Sequence, residues 1–233
     1  MMTPISLGAM VLAGLGAGEA VLRLRQRMPT IMDGNVYPGA TLQALLSGGV
    51  RAVCWGAATR VSVLTIWGAC AIAPLAPAGA VALACFLTLL LAGALVDFDA
   101  QILPDEVTGS LVWGGMIVHM AGAAPWGGSI EGATLGVVVA YGAVWLISAG
   151  YCVSRGMSAI GHGDLKLLAG LGAWLGAGAL PAILLISCSV QVVAQLIMRR
   201  RGVMAFGPAL AAAGGLLAIL KAAGVAIPIL LVQ

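Results

Sequence analysis

Charged residues are scarce in this sequence of 233 residues. Asp, Glu, Lys and Arg make up only 8% of the chain, whereas 61% is hydrophobic, and soluble domains carry close to a quarter charged residues. So little charge cannot cover a globular surface. The composition therefore excludes a soluble domain, a disordered protein, a coiled coil and a nucleic-acid-binding protein.

Closely spaced cysteines are also missing. The cysteines all lie more than four residues apart, which excludes the Cys-x-x-Cys spacing of zinc sites and gives no disulfide framework. Each is interpreted as a small apolar residue within a helix. They are Cys54, Cys70, Cys85, Cys152 and Cys188.

Apolar runs and 34 glycines predict an all-α polytopic membrane protein, because small residues let transmembrane helices pack closely. At about 20 apolar residues for each crossing, the sequence predicts about eight transmembrane helices. Residues 41–59 contain Arg51 and a glycine pair, so they are interpreted as an interfacial helix, and a break is predicted near Pro181. The predicted spans are 5–22, 61–75, 79–96, 107–124, 132–153, 165–180, 182–198 and 205–220.

The basic residues indicate how these spans are oriented. Basic residues favour the cytoplasmic side of a membrane, and an N-terminus on the outer side places ten of the eleven there, all except Lys221. A further span at 41–59 would move every later loop to the opposite side. The orientation also places the loop after Val96 and the loop from Gly161 to Asp164 on the cytoplasmic face.

The acidic residues are unevenly distributed. Three of the eight are scattered singly, four lie between Asp97 and Glu106, and the last is Asp164. An ionised Asp in a membrane is costly, so such residues usually face a cavity or take part in chemistry. Asp97 and Asp164 each lie at the edge of a predicted span on the same face, so we expect them to converge.

A purely structural interpretation competes with this one. Asp164 fits an N-cap for a helix that begins at Leu165, and Asp105 and Glu106 fit acids in the first turn of a helix, where the dipole favours them. Against that interpretation, the glycines at 161 and 163 remove side chains beside Asp164, which allows an extended peptide to approach it.

Two neighbouring carboxyl groups are what aspartyl proteolysis requires. Because they cannot both ionise cheaply, one keeps a proton while the other is negatively charged. The ionised group activates a water molecule, and the protonated group donates to the scissile carbonyl oxygen. The pair shares its macroscopic pKa values, so the sequence does not assign the proton to either residue. The chemistry needs no metal and no organic cofactor.

Two segments resemble the signatures of the type IV prepilin peptidases. Leu103-Pro104-Asp105 closes a segment, beginning at Asp97, that is similar to the first signature. The second, Gly161-His162-Gly163-Asp164, resembles the family's GxGD segment and continues into Leu-Lys-Leu-Leu and Gly-Ala-Trp runs. A third similarity lies near the C-terminus, at Phe206-Gly207-Pro208, with Ala205 where the family has proline.

The resemblance implies a role for each matching residue. The catalytic aspartates of the family fall on Asp97 and Asp164, and no metal ligand is implied. Lys166 matches a motif lysine that either holds the Asp164 loop, meets a substrate carbonyl or extends to the membrane surface. The supporting or substrate-binding positions are Gly161, Gly163, Lys166, Asp99, Pro104 and Asp105.

The N-terminal third departs from the family pattern. Longer family members carry a cytoplasmic loop with two Cys-x-x-Cys pairs, associated with zinc and with N-methylation of the processed pilin. Only seven residues separate Pro29 from Tyr37 here, and those pairs are absent. The expected division is an N-terminal span and short cytoplasmic segment at 1–60, followed by a peptidase domain at 61–233 that does not methylate.

The resemblance thus implies an aspartic endopeptidase of the bacterial inner membrane, which cleaves the basic leader of type IV prepilins or pseudopilins on the cytoplasmic side. The expected partners are that substrate and membrane lipid, with no nucleic acid, and a homo-oligomer is left open. We expect Asp99, Asp105 and Glu106 to attract the basic leader. Two alternatives remain: a preflagellin-type GxGD peptidase, and a proton-coupled transporter that uses the same Asp pair.

Overall fold

The computed structural model describes residues 4–32, 49–155, 161–199 and 204–225, and within these ranges every regular element is helical. This confirms the predicted all-α class. The chain divides into two compact units, Met1–Thr88 and Leu89–Gln233. The helices are α1 (Pro4–Met32), α2 (Gly49–Ile72), α3 (Pro77–Ala100), α4 (Asp105–Met120), α5 (Ile130–Arg155), α6 (His162–Leu175), α7 (Leu180–Met198) and α8 (Gly207–Ala222), with a 3₁₀ turn at Ala177–Ala179 before α7.

Three helices in the described part of the chain are long and apolar enough to cross a membrane. They are Pro77–Ala100, Ile130–Arg155 and the continuous stretch Ala177–Met198. The shorter apolar stretches Gly56–Ile72 and Gly207–Ala222 overlap two further predicted spans. The long helices indicate a membrane protein, and the count of eight spans stays a prediction.

Two helices of the N-terminal unit extend beyond the bounds of the predicted spans. The first span was expected to end at Leu22, but α1 continues to Met32, because the basic cluster consists of good helix formers that do not break a helix. The predicted separation of an interfacial helix 41–59 from a span 61–75 is also wrong. Helix α2 runs from Gly49 to Ile72 with no proline to interrupt it, while residues 41–48 lie outside the described ranges.

Close packing within this unit depends on a glycine of α1. A Cβ atom at Gly14 would lie 3.0 Å from Cβ of Trp67 on α2, so only glycine allows this approach without a shift. The Trp67 indole N–H donates to Thr88 Oγ1 at 3.0 Å. Glu19, an isolated acid in the sequence, accepts a hydrogen bond from Arg60 Nε at 2.7 Å.

Helix α3 extends further than the sequence predicted. The predicted span ends at Val96, whereas the helix continues for one more turn, through Asp97 to Ala100. It ends where Gln101 takes a left-handed conformation with φ of 54°, which cannot continue a right-handed helix. Asp97 therefore lies inside the last turn of α3 rather than in a loop.

Helix α6 is the centre of the C-terminal unit and packs against α4, α5 and α8. A Cβ at Gly170 would lie 2.8 Å from Cβ of Leu111, and the backbones of α5 and α6 touch at Gly136 and Gly172. The Trp174 indole N–H donates to the carbonyl of Leu111 at 2.8 Å. These contacts confirm the sequence-based expectation that small residues allow close helix packing.

The break between α6 and α7 lies earlier than predicted. It was expected near Pro181, but α6 ends at Leu175, and Gly176 has a φ of 82°. Such a conformation strongly favours glycine and is a common way to end a helix. Pro181 lies in the first turn of α7, where a missing backbone N–H costs nothing.

Candidate active site

The first carboxyl group of the site belongs to Asp97, in the last turn of α3. The residue is only 5% exposed, and its Oδ2 accepts a hydrogen bond from the backbone N–H of Gly207 at 2.8 Å. Gly207 is the first residue of α8. The first N–H groups of a helix have no partner within the helix and carry its positive dipole end, so the start of α8 orients and stabilises this carboxylate.

This contact depends on the absence of a side chain at Gly207. A Cβ atom there would lie 2.5 Å from Asp97 Oδ2, too close for any real contact. The sequence-based list of site residues did not include Gly207. The similarity of the Phe206-Gly207-Pro208 segment to the C-terminal segment of the prepilin peptidases was the signal that pointed to it.

The second carboxyl group belongs to Asp164, in the first turn of α6. Helix α6 begins at His162 with Gly161 in the cap position, and no side chain makes the capping hydrogen bond. Asp164 is therefore not an N-cap. Burial, followed by the negative charge of Asp97, raises the pKa of the Asp164 carboxyl group to about 6. Asp164 lies outside the three long apolar helices, and the charge of Asp97 contributes to its raised pKa.

Leu103 and Gly163 join the two signature segments by direct packing. A Cβ atom at Gly163 would lie 2.9 Å from Cβ of Leu103, whose side chain is buried. Gly163 is therefore needed for this contact, a role that the sequence did not reveal. Gly161 differs, since a Cβ there would meet only Asp164 Oδ2, at 3.4 Å. The expected approach of a peptide beside Asp164 is thus compatible with Gly161.

An ion pair also links the two segments. Lys166 Nζ on α6 donates to Oδ1 of Asp105 on α4 at 2.6 Å. Pro104 occupies the cap position of α4, and Asp105 and Glu106 lie in its first turn, as the alternative structural interpretation expected for these two acids. Of the roles considered for Lys166, the structure shows a contact that holds the start of α6 beside the start of α4.

We expect the ion pair to affect position more than stability. The two side chains are 41% and 75% exposed, and exposed pairs contribute about 0.2–1 kcal/mol. Lys166→Asp or Asp105→Lys alone should lower the unfolding midpoint slightly and reduce activity. The double charge swap should recover part of both losses, measured by thermal unfolding and by substrate cleavage. Strictly additive losses in the double variant would contradict a coupling through this pair.

The other acids and histidines near the site have separate positions. Asp99 is exposed in the last turn of α3, and His162 is exposed at the start of α6. His119 lies at the far end of α4. Among the residues whose placement the structure describes, no group of three or more His, Cys, Asp and Glu side chains has the geometry of a metal site.

Sequence comparison with known proteins finds a match that includes both signature segments. Residues 83–196 match the type IV leader peptidase family. The chain is 40% identical over 121 residues to a prepilin leader peptidase/N-methyltransferase of Neisseria gonorrhoeae. This alignment covers 51% of this chain and 41% of that protein. For the proteins of the same description from Dickeya chrysanthemi and Escherichia coli K12, identity is 39% and 38% over 149 residues. Both alignments cover 61% of this chain, with 51% and 64% of the respective relatives.

The chain thus spans about half the length of the curated relatives it matches. No solved structure matches it significantly. The matched region contains both signature segments, with Asp97 and Asp164 and the residues that join them. Residues 83–196 of this chain are therefore similar to the type IV leader peptidase family.

Proposed function

We propose that this protein is a membrane-embedded aspartic endopeptidase that removes the basic leader peptide of type IV prepilins or pseudopilins. The observation that carries the proposal is the direct packing of the two signature segments, through Gly163 with Leu103 and through Lys166 with Asp105. The carboxyl groups of Asp97 and Asp164 come from separate helices and separate signature segments. The relatives described as prepilin leader peptidases support the substrate class.

In the proposed mechanism the two carboxyl groups share one proton. The Gly207 N–H is directed at Oδ2 of Asp97, which leaves Oδ1 to face the water. The ionised carboxylate removes a proton from that water, whose oxygen attacks the scissile carbonyl carbon. The protonated carboxyl group donates its proton to the carbonyl oxygen. When the tetrahedral intermediate collapses, the C–N bond breaks and the leaving amine takes a proton from the protonated carboxyl group. The other carboxylate accepts the proton of one hydroxyl group of the intermediate, so the pair again holds one proton.

The same proposal includes the arrangement in the membrane. Eight spans, an N-terminus on the outer side and the GxGD protease architecture would place both carboxyl groups at the cytoplasmic edge of the bacterial inner membrane. The starts of α4, α6 and α8 and the end of α3 carry the site residues, and α4, α6 and α8 run away from it in the same direction. Residues 61–233 would supply the peptidase, and 1–60 the N-terminal span and a short cytoplasmic segment.

Incubation of the purified protein with a prepilin tests the peptidase directly. The expected result is a mass loss equal to the leader peptide, detected by intact-protein mass spectrometry. A transporter that uses the same Asp pair would leave the prepilin mass unchanged and would acidify or alkalinise the lumen of proteoliposomes. A control with Glu131→Gln, an exposed acid in the first turn of α5, should cleave as the parent protein does.

We also propose that the protein does not methylate the processed pilin. The sequence contains no Cys-x-x-Cys pair, and a zinc site of the family's kind needs about four ligands. We expect cleavage without transfer of a labelled methyl group from S-adenosylmethionine to the mature pilin. A relative described as a leader peptidase/N-methyltransferase serves as the positive control, and labelled pilin from this protein would contradict the proposal.

Basic residues of the leader would be attracted to acids beside the site. Asp99, Asp105 and Glu106 all lie at the helix ends around it, and Asp105 is already paired with Lys166. We expect the combined change of these acids to Asn, Asn and Gln to raise KM several-fold with a smaller effect on kcat, since charges on the enzyme surface mainly steer and bind. The effect should shrink as salt is added. Unchanged cleavage kinetics would contradict this role.

A further inference from the structure

A cavity lies at the end of the C-terminal unit opposite the two aspartates. Its volume is about 480 Å³, within the range of cavities that bind small ligands. Asp164 and Leu175 lie near opposite ends of α6, about 16 Å apart along the helix axis. The cavity is therefore separate from the candidate active site. Its wall includes His119, Trp126, Ser129, Leu135, Trp174 and Lys221.

Lys221 is the cation of this cavity. It lies half-buried in the last turn of α8, and its Nζ donates to the carbonyl oxygen of Leu175 at 3.0 Å. The same atom lies 5.8 Å from the centre of the Trp126 ring. Across the described ranges, no carboxylate pairs with it. An ammonium group has three donors, and a cation withdrawn from water without an anionic partner is destabilising.

The neighbouring side chains form a fixed wall around that charge. The Trp126 indole N–H donates to the carbonyl of Trp174 at 3.0 Å, which holds the ring in place. His119 Nδ1 lies 2.8 Å from the carbonyl oxygen of Gly115. Because a carbonyl only accepts, Nδ1 carries a hydrogen. Nε2 of His119 is then the nitrogen that faces the rim of the cavity at Gly128.

Exposed apolar side chains continue from this cavity along the helices. Leu135, which lines the cavity, is 57% exposed, and Leu216 and Ile219 on α8 are 47% and 50% exposed. A charged recess beside an apolar surface matches the two parts of a phospholipid. Tryptophan is also enriched at the level of the lipid headgroups.

We propose that this cavity binds the phosphate of a membrane phospholipid, with Lys221 as its counter-ion. Basic recesses between membrane helices are known to take lipid headgroups. Lys221 is also the one basic residue that the proposed orientation places on the outer side, against the general preference of such residues. Binding to a lipid headgroup would explain why Lys221 lies on the outer side of the membrane.

Unfolding of the full purified chain in detergent tests the proposal. Dioctanoyl-phosphatidylglycerol at a hundredfold excess over its Kd should raise the unfolding midpoint by about 5 °C or more. Dioctanoylglycerol, which has the same acyl chains without the phosphate, and inorganic phosphate should each give little or no rise. An equal rise with dioctanoylglycerol would overturn the proposal in favour of an apolar groove. An equal rise with inorganic phosphate would overturn it in favour of a free-phosphate site.

Variants identify the cation. Lys221→Gln should lose the rise, and Lys221→Arg should retain it. Arg155→Gln, which removes an equal charge from an exposed residue in the last turn of α5, should also retain it. A full rise in Lys221→Gln would overturn the assignment. The three probes are compared on the parent protein as well, so a Lys221→Gln variant that fails to fold leaves the test intact. Because no prepilin is used, the outcome is independent of the proposed peptidase activity.

Discussion

Replacement of either Asp97 or Asp164 by Asn should reduce prepilin cleavage at least about a thousandfold. An amide can neither remove a proton from water nor donate an acid proton to the scissile carbonyl, and general acid–base steps typically contribute 10²–10⁴-fold. Because the two groups act as a unit, the double variant should be no worse than either single variant. The measurement is kcat with a purified prepilin, followed by mass spectrometry.

The stability of Asp164→Asn distinguishes lost chemistry from lost folding. Burial raises the pKa of Asp164 to about 6 in the folded protein, from a usual value of 3.8. The folded state therefore holds this proton more tightly than the unfolded state, and the stability that the proton confers is lost as pH rises from about 4 to 6. Above pH 6 the parent protein must keep an ionised carboxylate half-buried, whereas the amide of the Asp164→Asn variant is neutral at every pH.

We therefore expect Asp164→Asn to unfold at a higher temperature than the parent protein at pH 8, and at about the same temperature at pH 4. The matched control Glu131→Gln should retain cleavage. An Asp164→Asn protein that cleaves prepilin at a rate near that of the parent would show that Asp164 takes no part in the chemistry.

Gly207→Ala should reduce kcat about a hundredfold while the protein remains folded. The new Cβ would lie 2.5 Å from Asp97 Oδ2, so either the carboxylate or the start of α8 must move. A displacement of about 1 Å in a catalytic group is enough for a loss of about 10²-fold. The substrate contacts remain, so KM should change much less than kcat.

Gly142→Ala is the matched control for this variant. Gly142 lies within α5, and no atom lies within 4 Å of a Cβ built there. Alanine is favoured over glycine in a helix by about 1 kcal/mol, so this change should leave cleavage unaltered and keep or raise stability. A Gly207→Ala protein with the kcat of the parent would contradict the positioning of Asp97 by the α8 N–H.

Much of the fold could be predicted because long apolar runs and helix breakers are local features. The helical class followed from these patterns, and the starts of α4 and α5 lie within two residues of the predicted ones. The ends of α1 and α3 were missed for one common reason. A change from apolar to charged residues marks the end of an apolar segment, but a helix continues through charged residues until its backbone changes direction. At α3 this occurs at Gln101.

The partners of the site residues could not be predicted in the same way. The contact of Asp97 with Gly207 joins positions 110 residues apart, and the pair of Asp105 with Lys166 joins positions 61 apart. Such contacts depend on how the helices pack, which local sequence does not determine. Gly163 shows the same limit, since the sequence indicated only that its side chain was absent, whereas the structure places it against Leu103.

Chemical cross-linking shows directly whether the side chains at positions 97 and 164 lie next to each other. The native cysteines are replaced by Ala, Asp97→Cys and Asp164→Cys are introduced singly and together, and dibromobimane is added, which fluoresces only after it bridges two thiols. Gly14→Cys with Trp67→Cys is the positive control, since a Cβ atom at Gly14 would lie 3.0 Å from Cβ of Trp67. We expect fluorescence in the 97/164 double variant and none in either single variant. A dark 97/164 double variant beside a fluorescent control pair would contradict this expectation.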